Sequence, residues 1–105
     1  MEFEYRFENH EDYALVKLPK KVMIPYSSQF KEMLQSVYDQ GYSTIILDCE
    51  YLQMFDTAGI SGVAIFQHKL KERGGELKII NVANNYIKHL FRTIELNKLV
   101  SIEEL

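Results

Sequence analysis

The chain has one cysteine, two prolines and no tryptophan. A single cysteine excludes an internal disulfide, so the fold must rest on its hydrophobic core. Cysteine is commonly buried as a small hydrophobe. Cys49, close to the end of an apolar segment, is read that way rather than as a nucleophile. An excess of basic charge is also missing: the net charge is −3, with both signs spread along the sequence. A nucleic-acid surface needs a basic patch or stripe, so direct nucleic-acid binding is not expected. No stretch reaches the roughly 18 apolar residues in a row that a membrane helix needs. Met1-Glu2-Phe3-Glu4 is acidic and lacks the basic-then-apolar order of a secretory signal. These absences point to a soluble cytoplasmic protein without a membrane partner.

The ingredients of catalysis are equally sparse. His10, His68 and His89 have no metal-ligand spacing with one another or with Cys49. Gly74-Gly75 is not followed by the Lys-Ser/Thr of a phosphate loop. No Ser/His/Asp set can be placed. Asp48 and Glu50 flank the end of an apolar segment and are read as capping or solubilising groups. No catalytic residue, metal or cofactor is expected, and the chain is not read as an enzyme.

What the sequence does have is a core. Hydrophobic residues make up 47% of 105 positions, enough for one domain over residues 1–105. Phe3, Tyr5 and Phe7 alternate with Glu4 and Arg6, the period of a half-buried strand. Asn9 to Asp12 reads as a hairpin turn into a second strand, Tyr13 to Leu18, ended by Pro19. Lys20-Lys21 is a small, solvated basic spot. Pro25 is placed as the first residue of a helix, where a missing N–H costs nothing. Tyr26, Phe30, Met33, Leu34, Val37 and Tyr38 form its apolar stripe, and Gly41 ends it in a left-handed cap.

Thr44-Ile45-Ile46-Leu47 is a continuous apolar run, predicting a central strand covered on both faces. A second helix is predicted over Thr57 to Arg73, stopped by Gly74-Gly75, followed by a strand, Leu77 to Ile80. Asn84 or Asn85 can cap a third helix with Ile87, Leu90, Phe91 and Ile94 on one face. Leu99 to Ile102 offers a short edge strand. The predicted class is α/β: a single mixed sheet of four to five strands packed with three to four helices. Strands joined by helices prefer parallel pairing.

The segment Phe55-Asp56-Thr57-Ala58-Gly59-Ile60 carries the functional argument. Asp56 can cap the second helix, accepting from free backbone N–H groups of its first turn and favouring the positive end of the helix dipole. Thr57 then becomes the first helical residue, with its hydroxyl near the surface. Gly59 costs roughly 1 kcal/mol relative to Ala inside a helix. Close approach of a partner or tight packing against the sheet would each explain it. On a helical wheel Ile60, Val63, Phe66, Gln67 and Leu70 face the sheet, while Ser61, Ile65, His68 and Glu72 lie opposite. Asp-Thr at a helix start commonly means capping alone. Joined to an apolar Ile65 on the outward face, it also suits a docking surface.

These residues resemble the phosphorylation-site motif of STAS domains, in particular of anti-sigma factor antagonists of the SpoIIAA type, where it reads Asp-Ser-Ser/Thr-Gly-Leu-Gly. The preceding Ile45-Ile46-Leu47-Asp48 is similar to the family's apolar strand ending in Asp. Leu77 to Val82 and Ile87 to Leu99 are similar to its later strand and closing segment, so the resemblance covers nearly the whole chain. It implies a STAS-like fold and a partner switch. The unphosphorylated protein would bind an anti-sigma factor that is itself a serine/threonine kinase of the GHKL type, releasing the sigma factor. Phosphorylation at Thr57 would end binding, and a PP2C-type phosphatase would restore it. Asp56, Ala58, Ser61 and Ile65 would lie in or beside the docking surface.

The chain departs from the pattern at three places. Thr57 stands where most single-domain antagonists have Ser, although stressosome scaffold proteins have Thr there. Ser61 stands where a second Gly is usual, and Pro19-Lys20-Lys21 replaces a usual Gly. Two alternatives stay open: a stressosome-like scaffold or transport-associated STAS subunit, and a ligand-binding module using the loop Cys49 to Phe55.

Overall fold

The structure, a computed structural model, describes residues 4–105. Strand β1 (Arg6–Asn9) turns back into β2 (Ala14–Lys17), and the two pair antiparallel. Two-residue β3 (Lys21–Val22) precedes helix α1 (Ser27–Asp39). Then come β4 (Thr44–Asp48), two-residue β5 (Met54–Phe55), helix α2 (Thr57–Glu72) and β6 (Glu76–Ile80). Helix α3 (Asn85–Thr93), one 3₁₀ turn (Leu96–Lys98) and edge strand β7 (Ser101–Ile102) complete the chain. The main sheet is five-stranded, in the order β1-β2-β4-β6-β7, and β2, β4, β6 and β7 run parallel. The predicted mixed sheet and three helices are therefore present.

Register explains where the core sits. Val16, Leu47 and Ile79 stand side by side across β2, β4 and β6, as do Ala14, Ile45 and Leu77. All six are at most 1% exposed. Their alternating neighbours, Leu15, Lys17, Thr44, Ile46, Lys78 and Ile80, are only half-buried. This corrects the expectation that β4 is covered on both faces. Strand side chains alternate between faces, and here one face is fully buried while the other keeps contact with solvent. An apolar run such as Ile45-Ile46-Leu47 cannot reveal that, because Ile46 is apolar on either side. The first strand is also less buried than its alternation suggests. Tyr5 and Phe7 are exposed, as is every residue of β1, and Phe3 lies outside the described residues.

Helix α1 buries Phe30, Met33, Leu34 and Val37, the core of the predicted stripe. Its start differs from expectation. Pro25 lies ahead of the helix, Tyr26 takes the cap position without a side-chain cap bond, and Ser27 is the first helical residue. The Tyr26 N–H donates to the Met23 carbonyl at 2.6 Å, closing a turn at the place where the helix was predicted to begin. The helix ends as predicted at Gly41, with φ of +99°, a conformation that costs glycine nothing.

A second sheet, unforeseen in the sequence, pairs β3 with β5 in parallel, with Lys21 opposite Met54 and Val22 opposite Phe55. Lys21 is thus a strand residue as well as a solvated cation. Phe55 anchors this small sheet. Its ring meets Phe30 of α1 and Phe91 of α3 edge-on, both at 5.8 Å between centroids. Edge-to-face pairs of this kind contribute about 0.5–1.5 kcal/mol each beyond area burial. The residue directly before Asp56 is consequently locked between two helices.

Candidate functional site: the start of helix α2

Asp56 has extended backbone, with φ of −102° and ψ of 178°, as an N-cap residue should. Its Oδ1 accepts from the Gly59 N–H at 3.0 Å, closing the first turn of α2. Its Oδ2 accepts from the Ile24 N–H at 2.9 Å, across 32 positions of sequence. One carboxylate therefore starts the helix and pins the loop ahead of α1. The second bond had no signal in the sequence, because nothing local links Ile24 to Asp56. Ile24 is also the large hydrophobe that reasoning from the sequence missed: it is 75% exposed, yet held by its backbone beside the cap.

Thr57 is the first helical residue and is exposed. Ala58 and Ser61 are half-buried, and Ile65 is 44% exposed. Thr57, Ser61 and Ile65 are spaced by four, so they stack along one side of the helix over about 12 Å. Further along, His68 Nε2 and Glu72 Oε1 make an exposed i,i+4 contact at 2.6 Å. The opposite side carries the buried Val63, Phe66, Gln67 and Leu70, matching the wheel, with Ile60 at its margin.

Gly59 has an internal explanation. A Cβ there would lie 3.1 Å from the Phe55 ring and 3.3 Å from Val22. The helix start rests directly on the small sheet, so of the two explanations for Gly59, tight packing is the one the geometry supplies. A turn further along, Gly62 allows the same close approach to Phe30 and the Lys31 stem of α1.

Gln67 fixes the orientation of the helix. It is 5% exposed; its Oε1 accepts from the Leu77 N–H at 2.7 Å, and its Nε2 donates to the Leu99 carbonyl at 2.9 Å. A buried amide with both ends satisfied resists sliding or rolling of α2 over the sheet, since any shift leaves polar groups unpaired.

Beyond β4 lies a second polar group. Asp48 Oδ1 accepts from the Glu50 N–H at 3.0 Å and from Asn81 Nδ2 at 3.3 Å, which is the capping role predicted for it. The Lys17 ammonium sits 2.5 Å from Glu50 and 3.9 Å from Asp48. The hydrogen bond to Glu50 is the chief reason the Lys17 pKa is raised. Cys49 is 1% exposed, and burial pushes its thiol well above the ordinary value, as befits a packed hydrophobe rather than a nucleophile. Among the described residues no group of three His, Cys, Asp or Glu could hold a metal ion. No helix of the described residues is long and apolar enough to cross a membrane.

An exposed threonine thus stands at a capped helix start, at the carboxyl end of the mixed sheet. The family model of the STAS domain matches residues 4–104, and the chain belongs to that family. No curated protein matches it in sequence. Its fold is shared with the anti-sigma factor antagonist SpoIIAA in its unphosphorylated form, with a TM-score of 0.80 at 17% identity over 94% of this chain and 87% of that one. The phosphorylated form of SpoIIAA from Bacillus aligns with a TM-score of 0.72 at 18% identity, covering 94% and 90%. An anti-sigma factor antagonist from Mycobacterium paratuberculosis aligns with a TM-score of 0.81 at 11% identity, covering 98% and 86%.

Proposed function

We propose that this protein is an anti-sigma factor antagonist whose partner binding is switched off by phosphorylation at Thr57. The observation that carries the reading is the exposed Thr57 hydroxyl at the first position of a helix whose cap and underside are fixed by Asp56, Phe55 and Gly59. The partner in this reading is an anti-sigma factor that is also a serine/threonine kinase of the GHKL type. A PP2C-type phosphatase resets the switch. The protein is the substrate and performs no chemistry of its own.

The physics of the site suits such a switch. A phosphate adds about −1.5 to −2 charges at neutral pH. The helix N-terminus tolerates that charge, so the fold should change little. Asp56 next door already has both side-chain oxygens engaged as acceptors, so it offers the phosphate no donor. Burying a phosphate in an interface without a cation costs several kcal/mol, which lowers affinity by orders of magnitude. Asp56, Ala58, Ser61 and Ile65 form the docking surface in this reading, and the exposed Ile24 adds apolar area beside Asp56.

The test is to incubate the protein with the candidate kinase and ATP, map the phosphate, and measure binding of variants. Phosphate should appear on Thr57. Thr57→Ala should bind constitutively and Thr57→Asp weakly. Phosphate at another residue, or none with a kinase that clearly binds, overturns the assignment. Equal affinity of the two variants overturns the charge mechanism.

A further inference from the structure

A separate groove lies at the carboxyl end of β2, with a volume of about 800 Å³. That is within the range of small-molecule sites. Its lining is unlike the rest of the molecule. On a chain of net charge −3, the groove collects Arg6, Lys17, Lys20 and Lys21, with Glu4 as its one carboxylate. Among the described residues, Arg6, Lys20 and Lys21 have no ion-pair partner within 4.0 Å. Tyr26 and Tyr51 are among its aromatic lining residues. Tyr51 is 49% exposed, and the Lys17 ammonium already sits 4.5 Å from its ring centroid.

Clustered cations with nearby aromatic rings recognise a flat ring that carries a negative charge. The ring packs on the tyrosines, and the charge meets the ammonium and guanidinium groups. We propose that this groove binds small aromatic anions, compounds that join a flat ring to a phosphate or a carboxylate. The groove lining contains none of Asp56, Thr57, Ala58, Ser61 and Ile65, so the proposal does not rest on the switch. Lys17 is held by Glu50, so an arriving anion competes with that carboxylate. Removing the Glu50 charge should therefore tighten binding.

The experiment is a titration of the full chain at low salt with 1-naphthyl phosphate, 1-naphthoate, 1-naphthol and inorganic phosphate. At least one joined compound should bind about tenfold or more tightly than either of its halves, and the phosphate and carboxylate arms identify the preferred head group. The Lys20→Ala/Lys21→Ala double variant, altered only at exposed side chains, should weaken that compound about fivefold or more. Added salt should weaken it too, since exposed charges are screened. Glu50→Gln should strengthen it. No binding of either joined compound, halves that bind as well as the joined compound, or unchanged affinity in the double variant overturns the proposal.

Discussion

Two helices of this protein begin with the same device and use it differently. At α2 the Asp56 side chain accepts from the Gly59 N–H at 3.0 Å; at α3 the Asn84 side chain accepts from the Ile87 N–H at 3.1 Å. Both close the first turn three residues on. Asn84 has no other side-chain bond among the described residues, so its role stays local. Asp56 has a second oxygen on Ile24, and its neighbour Phe55 is packed between α1 and α3. A capping residue becomes a structural junction when its remaining acceptor reaches another region of the chain. In this protein the junction lies under Thr57.

The largest difference should appear on truncating each cap. Asp56→Ala loses the helix cap and the Ile24 bond together, and should cost about 2 kcal/mol. For a domain of this size that is a fall in Tm of about 10 °C, readable by thermal or urea unfolding. Asp56→Asn should cost about 1 kcal/mol, since an amide keeps one acceptor oxygen but offers N–H to the other donor. Asn84→Ala should likewise cost about 1 kcal/mol, with the effect confined to α3. Hydrogen exchange separates the two: Asp56→Ala should speed exchange at Ile24 as well as Gly59, whereas Asn84→Ala should speed it at Ile87 alone. If Asp56→Ala costs no more than Asn84→Ala, the junction does not exist energetically. The smallest effect is expected at the neighbouring hydroxyl. Thr57→Ala should change stability by less than about 0.5 kcal/mol, as for exposed surface substitutions, because Thr57 makes no side-chain bond among the described residues.

Much of this architecture was legible beforehand. The alternation in β2, the stripe of α1, the glycines ending α1 and α2, and an asparagine cap on α3, at Asn84 or Asn85, all follow local rules of period and backbone freedom. The Asp56 cap and the exposed Thr57 were legible for the same reason, since an N-cap is decided within four residues. The small β3–β5 sheet was not. Two residues per strand show no period, and their pairing joins positions about 30 apart. The start of α1 was misplaced because Pro25 suits a first helical turn and a preceding turn equally well.

Gln67 shows the boundary most clearly. Its place on the sheet-facing side of α2 follows from the wheel, but its partners, Leu77 and Leu99, do not. A buried amide can be satisfied in many ways, and only the packed chain selects one.

By itself, then, the sequence determined the order and type of the main elements, the cap at Asp56 and the position of Thr57. Each of these depends on neighbours within a turn or on the periodic burial of one face. The tertiary structure alone decided that one sheet face stays half-open, that Ile24 hangs from the cap of α2, and that Arg6, Lys17, Lys20 and Lys21 converge on one groove. Those outcomes depend on which distant backbone groups become neighbours once the core closes, and no local preference encodes that.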